Sequence, residues 1–255
     1  MAIISDSDNV GGQVSNTVLT WQHTCGAGAT LLVVLVGVVD STLGDRTISG
    51  VTYNGDALTN TGVTSDDATE GFRTEIWYRI NPDTGGAYDV VVTAGGKCTD
   101  LAGMSSSVTG SHTTDPIGSS GIAVATGANP AKTVTDCLDT SWLMGIVVTD
   151  QSDYTSITPL VTEIGEQDVG ADVVNAQRKT CTAGSVQIAW SDADTNAYVI
   201  SVVEILMDTG GGGFNAKVMV NGVLKDVSTA SVMVNGAWKA VSSMKVMVNG
   251  AWKTV

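Results

Sequence analysis

Positive charge, histidine, proline and clustered cysteine are all scarce in this chain, and each scarcity removes a class of function. Twelve lysines and arginines stand against 26 aspartates and glutamates, a formal net charge of −14. A surface this acidic repels phosphates, so nucleic acid is not an expected partner. With only His23 and His112, and four cysteines that form no CxxC pair, zinc-ligand spacing is missing. Cys25, Cys98, Cys137 and Cys181 read as buried free thiols, with disulfides left open for a protein that ends up outside the cell. The most apolar run, Leu31–Val39, is too short to span a bilayer and reads as a buried strand, so no membrane partner is expected. The N-terminus, Met1-Ala-Ile-Ile-Ser-Asp, has neither the basic region nor the apolar core of a secretory signal. The expectation is synthesis in a cytoplasm without export. No amphipathic helix longer than two turns is apparent, and only 160–169 invites a helical turn.

What is abundant is glycine (30 residues) together with valine, threonine and serine, in a chain that is 43% apolar and 15% charged. That composition excludes disorder and points to a turn-rich all-β protein. Strands are expected at 17–24, 30–39, 47–53, 72–80, 88–93, 101–108, 121–125, 141–149, 177–182, 186–190 and 197–207. Asn54-Gly55 marks a two-residue type I′ hairpin turn. Leu31–Val39 and Gly145–Val148 are almost continuously apolar, as strands covered on both faces should be. Ile76, Tyr78 and Ile80 alternate with Trp77 and Arg79, the pattern of a strand with two distinct faces. About eleven such strands predict an antiparallel jelly-roll-like β-sandwich over residues 1–209. An immunoglobulin-like sandwich is the alternative, although its Cys–Trp–Cys arrangement is not evident.

Gly210–Gly213 forms a flexible joint, and residues 214–255 differ in kind from the body. Lys217-Val-Met-Val-Asn-Gly-Val-Leu-Lys225 returns as Ser231-Val-Met-Val-Asn-Gly-Ala-Trp-Lys239 and Lys245-Val-Met-Val-Asn-Gly-Ala-Trp-Lys253, a period of 14 residues. Each copy predicts a strand, an Asn-Gly turn and a second strand. The register sets Val220 against Val223, Met219 against Leu224, Lys217 against Asp226, Met233 against Trp238 and Met247 against Trp252. A lone hairpin of this size is marginal in water, so the repeats need neighbouring repeats, the body or other chains to cover them. Met219, Leu224, Met233, Trp238, Met247 and Trp252 are the expected apolar anchors, with Lys225, Lys239 and Lys253 as a polar rim. Charge separates along the same boundary. Residues 1–213 carry seven bases against 25 acids, a net −18, and the tail carries five lysines and one aspartate, a net +4. Body and tail can therefore attract one another, within or between chains.

The tail motif Val-Met-Val-Asn-Gly-Ala-Trp-Lys resembles the Val-x-Val-x-Gly-x-Trp-Lys repeats near the C-termini of tailed-phage virion proteins. In the body, Thr20-Trp21-Gln-His23-Thr, Leu32-Val-Val-Leu-Val-Gly-Val, Val51-Thr-Tyr-Asn-Gly55, Glu75-Ile-Trp-Tyr78 and the closing strand 197–205 resemble β-sandwich modules appended to phage structural proteins and to some secreted bacterial proteins. The resemblance implies a virion location and a non-enzymatic role as capsid decoration, head fibre or tail appendage. The uncovered hairpin faces lead to a homo-oligomer, a trimer foremost, and the implied virion role adds other virion proteins as partners. The resemblance carries no catalytic residues.

Chemistry finds little support in the residues. Asp66-Asp67, Glu163 with Glu166, and Asp192 with Asp194 are acid pairs that glycoside hydrolysis would need across a cleft, and they read better as solvated loop acids. A Ser-His-Asp triad would have to use His23 or His112, and neither lies near a nucleophile elbow. Gly11-Gly12-Gln13 and Gly95-Gly96-Lys97-Cys98 both fail as phosphate loops. No cofactor is expected, although calcium on Asp6, Asp8 and Asp40 with Asp45 stays open. Two further functions stay open as well. A carbohydrate-binding adhesin would use Trp77, Tyr53 and Tyr154, with Tyr78, as glycan contacts, and an accessory domain of an exported hydrolase is the third reading.

Overall fold

The computed structural model describes residues 2–40, 46–150, 158–159, 161–208 and, in the tail, 217–220, 223–226, 231–234, 237–240, 245–248 and 251–254. Those residues are all-β, and none of them forms a helix able to cross a membrane. Two compact units result, Ala2–Met207 and Asp208–Val255.

The body repeats one topology twice. Its first half holds β1 (Ile4–Val14), β2 (Val18–Thr24), β3 (Leu31–Val39), β4 (Ile48–Tyr53), β5 (Asp56–Ala57), β6 (Thr59–Asp67), β7 (Phe72–Ile80), β8 (Ala87–Ala94) and β9 (Asp100–Thr109). Its second half holds β10 (Ile117–Gly127), β11 (Ala131–Cys137), β12 (Trp142–Asp150), β13 (Thr158–Pro159), β14 (Thr162–Val169), β15 (Asp172–Thr180), β16 (Gly184–Ser191) and β17 (Asn196–Ile205). The first half folds into a five-stranded sheet β1-β9-β3-β7-β6 and a smaller sheet β2-β8-β4-β5. The second gives β10-β17-β12-β15-β14 and β11-β16-β13. Apart from the two-residue β5, each strand has a counterpart in the same place. The expected jelly-roll-like antiparallel sandwich is present, and the body holds two of them in tandem.

The two five-stranded sheets lie face to face at the centre. Leu31, Val33 and Leu35 of β3 join Met144, Ile146 and Val148 of β12 in one core. The alternate residues Leu32, Val34 and Val36 pack under the first outer sheet with Leu19, Trp21, Tyr53, Val90 and Val92. Leu143 and Val147 do the same on the other side with Val186, Ile188 and Trp190. The resulting stack is outer, inner, inner, outer, so β3 and β12 have no solvent face. Their unbroken apolar sequence follows, because each buried Leu, Ile or Val contributes roughly 1.5–3 kcal/mol from either face.

Superposing the ladders makes the duplication residue-specific. Leu31 opens β3 opposite Ile80 of β7, and Trp142 opens β12 opposite Thr180 of β15. Counting along from these two starts, Gly37 corresponds to Val148. The pair meets at the central interface. A Cβ at Gly37 would sit 2.5 Å from Val174 Cγ1 and 3.0 Å from Val148 Cγ2. Glycine here is a hole that two valines of the other half fill. Polar ties cross the same interface. Thr74 and Ser201 share a hydroxyl hydrogen bond of 2.9 Å, Ser65 Oγ donates to the Ala123 carbonyl at 2.8 Å, and Arg178 pairs with Asp8 at 2.6 Å.

Four of the strands that were not expected from the sequence share one property. β1, β6, β11 and β14 are all edge strands, and each contains a register shift. An edge strand can be polar along much of its length, and a bulge breaks the two-residue alternation that marks a strand in sequence. So 162–169, within the stretch where a helical turn was expected, is β14, whereas 177–180 is the end of the longer β15, an interior strand. At the other extreme, Asn54 and Gly55 have φ of 52° and 82°, and Tyr53 pairs with Asp56, which is the type I′ turn read from Asn-Gly.

The six tail strands are β18 (Lys217–Val220), β19 (Val223–Asp226), β20 (Ser231–Val234), β21 (Ala237–Ala240), β22 (Lys245–Val248) and β23 (Ala251–Thr254), paired in sequence as three hairpins.

Gly37→Ala should destabilise the body by about 1–3 kcal/mol through overpacking, read as a lower urea midpoint. Gly127→Ala, where an added Cβ meets nothing within 4 Å, should move the midpoint little. Equal effects from both would mean the central sheets are not packed this closely.

Candidate functional site

The tail hairpins adopt the register expected from their sequence. Val220 faces Val223, Met219 faces Leu224 and Lys217 faces Asp226. Met233 faces Trp238 and Met247 faces Trp252. Lys225, Lys239 and Lys253 pair with Val218, Val232 and Val246. The lysines thus occupy the register positions that alternate with the Met–Leu and Met–Trp pairs. The Asn-Gly turns themselves lie outside the described residues.

In the body, polar side chains gather between the sheets, where they close on one another. His23, 1% exposed, is held between two serines of β9. Trp21 Nε1 donates to Ser105 Oγ at 2.9 Å, so that hydroxyl is left to donate to His23 Nδ1 at 2.9 Å. Ser107 Oγ donates to Asp6 at 2.7 Å, so it accepts from His23 Nε2 at 3.0 Å. The chain has one consistent polarity and makes His23 a neutral imidazole protonated at Nε2. Burial pushes its pKa down to about 4, against the smaller upward pull of Asp6 and Asp8. Ser, His and Asp do meet here, as a triad would require. Yet the carboxylate holds a serine and not the imidazole, and both serines are fully buried, so the group orients the interior and presents no nucleophile. His112, the other histidine, takes the backbone N–H of Asp115 at 3.0 Å in an exposed turn.

A second network occurs in both halves with its charges exchanged. In the first, Glu75 of β7 accepts from Trp77 Nε1 at 3.1 Å, Asn60 Nδ2 at 2.9 Å and Arg73 Nε at 2.7 Å. Its counterpart Asn175 accepts from Trp190 Nε1 at 2.7 Å and donates to Glu163 at 3.2 Å and Glu166 at 3.1 Å. Asn60 and Glu163 occupy equivalent register positions, opposite Trp77 and Gln177. Carboxylate and amide have traded places between the central and edge strands. The acid pairs read from sequence are thereby accounted for. Glu163 and Glu166 clamp an amide, and burial raises the Glu166 pKa. Asp66 bridges Arg46 and Arg73, each at 3.0 Å. Asp192, which is buried, caps its own turn through the Asp194 N–H at 3.0 Å.

The aromatic glycan contacts require correction. Tyr53 is 0% exposed and Trp77 is 9% exposed, both within the core under the first outer sheet, so neither offers a ring face to a sugar. Tyr53 spends its hydroxyl on the His23 and Asp83 carbonyls. Tyr78 packs against the central core, and Tyr154 lies outside the described residues. The calcium candidates are individually engaged. Asp6 takes Ser107 and the Gly26 N–H at 2.7 Å, Asp8 pairs with Arg178, and Asp40 accepts from Thr99, while Asp45 lies outside the described residues. A shallow surface depression of about 390 Å³ is lined by Trp142, Thr162, Arg178 and Lys179. There Arg178 lies 5.6 Å above the Trp142 ring and bonds Asp8, so its charge is already used.

All four cysteines are buried thiols. Cys25 lies against the Tyr53 and Ser107 hydroxyls, and burial raises its pKa. Cys137, Cys181 and Glu204 form the one group among the described residues whose metal-ligating atoms converge, all within 4.8 Å of one another. Sequence spacing could not reveal that group, because 137, 181 and 204 meet only through the sheet order. No family model, curated protein or solved structure matches the chain.

Two titrations give a test with opposite signs. His23 has a folded pKa below its unfolded value, so its contribution, on the order of 3 kcal/mol, is complete above pH 6.5 and lost as pH falls toward 4. Asp172 is raised to about 7 by burial first, then by Asp150, Asp100 and Glu70. Its contribution is complete below pH 4 and lost as pH rises through 7. Asp172→Asn should therefore stabilise at pH 8 and not at pH 4, and in that variant stability should fall from pH 6.5 to 4. Thermal melts across this range check both, and a gain that persists at pH 4 would contradict the assignment.

Proposed function

We propose that this chain is a non-enzymatic structural protein of a tailed-phage virion, a decoration or fibre component whose hairpin tail joins it to copies of itself and to neighbouring virion proteins. The observation that carries the reading is the common register of the three tail hairpins. Each places Met opposite Leu or Trp at the same position. Methionine against indole is a favourable pair, about 0.3–1.5 kcal/mol. Four-residue strands cannot stand alone in water, so that repeated apolar pair is material for an interface.

The body supports the same reading in a different way. Its polar clusters bond to one another between sheets, and its two sandwiches lock through a glycine–valine fit. That is the construction of a rigid displayed module. The net charges of −18 on the body and +4 on the tail favour contacts between the tail of one copy and the body of another.

In full-length protein, Trp238→Ala with Trp252→Ala should convert an oligomer to a monomer by sedimentation velocity, with the far-ultraviolet circular dichroism of the body unchanged. A wild-type protein that sediments as a monomer, with solvent-quenched indole fluorescence, would overturn the proposal. So would a double variant that assembles normally.

A further inference from the structure

The two halves of the body treat the same corner differently. Cys25 follows directly on β2 at its turn into β3, and Cys137 is the last residue of β11 before its turn into β12. In each half a residue of the closing strand stands beside that cysteine, opposite equivalent leucines. It is Ser107, facing Leu32, in the first half and Glu204, facing Leu143, in the second. The first corner is closed by neutral hydroxyls, those of Ser107 and Tyr53. The second brings in a second thiol, Cys181, from just beyond β15. Both of its cysteines are 2% exposed, and their sulfurs lie within 4.8 Å.

A metal does not fit this corner well. Glu204 is already the acceptor for the backbone N–H of Leu138 at 2.6 Å and of Ser119 at 2.9 Å, and for the Ser141 hydroxyl. Those bonds tie the start of β10 and the β11–β12 turn to β17, and they use most of the carboxylate's lone pairs. The converging set among the described residues has three members, one fewer than a closed structural zinc site needs. The two thiols are neighbours that already hydrogen-bond each other, and Cys137 Sγ also reaches the Val134 carbonyl at 3.5 Å, ties far weaker than those of the carboxylate. The Cys181 N–H donates to the Ser141 carbonyl at 2.7 Å and the Thr140 N–H to the Cys181 carbonyl at 3.2 Å, so the backbones of the two turns are already joined around the thiols.

We propose that Cys137 and Cys181 are a latent cross-link of the second sandwich, reduced as made and closed to a disulfide by a soluble disulfide oxidant such as oxidised glutathione. One thiol loses its proton and attacks the oxidant's S–S bond, giving a mixed disulfide and releasing one small thiol. The second cysteine, likewise deprotonated, attacks the protein sulfur of that mixed bond. It expels the second small thiol and forms the Cys137–Cys181 bond. Two protein thiols are oxidised and one small disulfide is reduced to two thiols. Burial, with Cys181 and Glu204 as neighbours, pushes the Cys137 pKa up to about 12, so reaction at neutral pH runs through opening of the turn and is slow. A bond between 137 and 181 would fasten the end of β11 to the end of β15, across the two sheets of that sandwich.

The test uses the reduced full-length protein and does not depend on the proposed function. After prolonged incubation with oxidised glutathione and unfolding, titratable thiols should fall from four to two, with a mass loss of 2 Da. A peptide map should join 137 to 181, and Tm should rise by about 5 °C or more. Cys181→Ala should show three thiols before oxidation and never the 2 Da loss, with any Cys137 that reacts held as the mixed disulfide and released by a reductant. Four thiols that persist, a mixed disulfide that never closes, a bridge that maps to Cys25 and Cys98, or stoichiometric zinc that survives gel filtration and blocks oxidation would each overturn the proposal.

Discussion

The body depends on one contact, the packing of two five-stranded sheets across a largely apolar interface. Every strand in the middle of those sheets is covered twice, once by the opposing inner sheet and once by its own outer sheet. This double cover sets the sequence of β3 and β12, places Gly37 against Val148 and Val174, and leaves polar residues to the edges. It also confines buried polar groups to the layers between sheets, where they must satisfy one another because water cannot reach them.

Two sandwiches with the same strand order in one chain amount to an internal pseudo-dimer. A symmetric dimer must place the same residue on both sides of its axis. A duplicated chain is free of that rule, and the two halves have used the freedom. Glycine faces valine at the centre. Glu75 with Asn60 in one half answers Asn175 with Glu163 in the other. A Ser107 corner answers a Glu204 corner. The two polar exchanges keep the corner and the Trp–amide–carboxylate network hydrogen-bonded while changing where charge resides.

This division of labour bears on the proposed assembly role. A body whose polar chemistry is turned inward contributes rigidity and an acidic exterior. The tail contributes repeated apolar cross-strand pairs on strands too short to be stable alone. In the proposed function, display and attachment would fall to segments of opposite charge.

Sequence by itself determined the all-β class, the place of the body–tail boundary, the Asn54-Gly55 hairpin and the register of all three tail repeats. These are local matters, set by turn chemistry within a few residues or by unbroken apolar runs. It also marked Leu31–Val39 as covered on both faces, without revealing what the second cover is. The tertiary structure alone decided that the cover is a second sandwich, since topology can repeat where residues do not. It alone located the edge strands β1, β6, β11 and β14, whose bulges erase the alternation a reader depends on. It alone took Trp77 and Tyr53 out of reach of any ligand, and brought His23 between Ser105 and Ser107 and Cys137 beside Cys181. Those meetings join residues 40 to more than 80 positions apart, and only the order of strands within a sheet fixes which of them become neighbours.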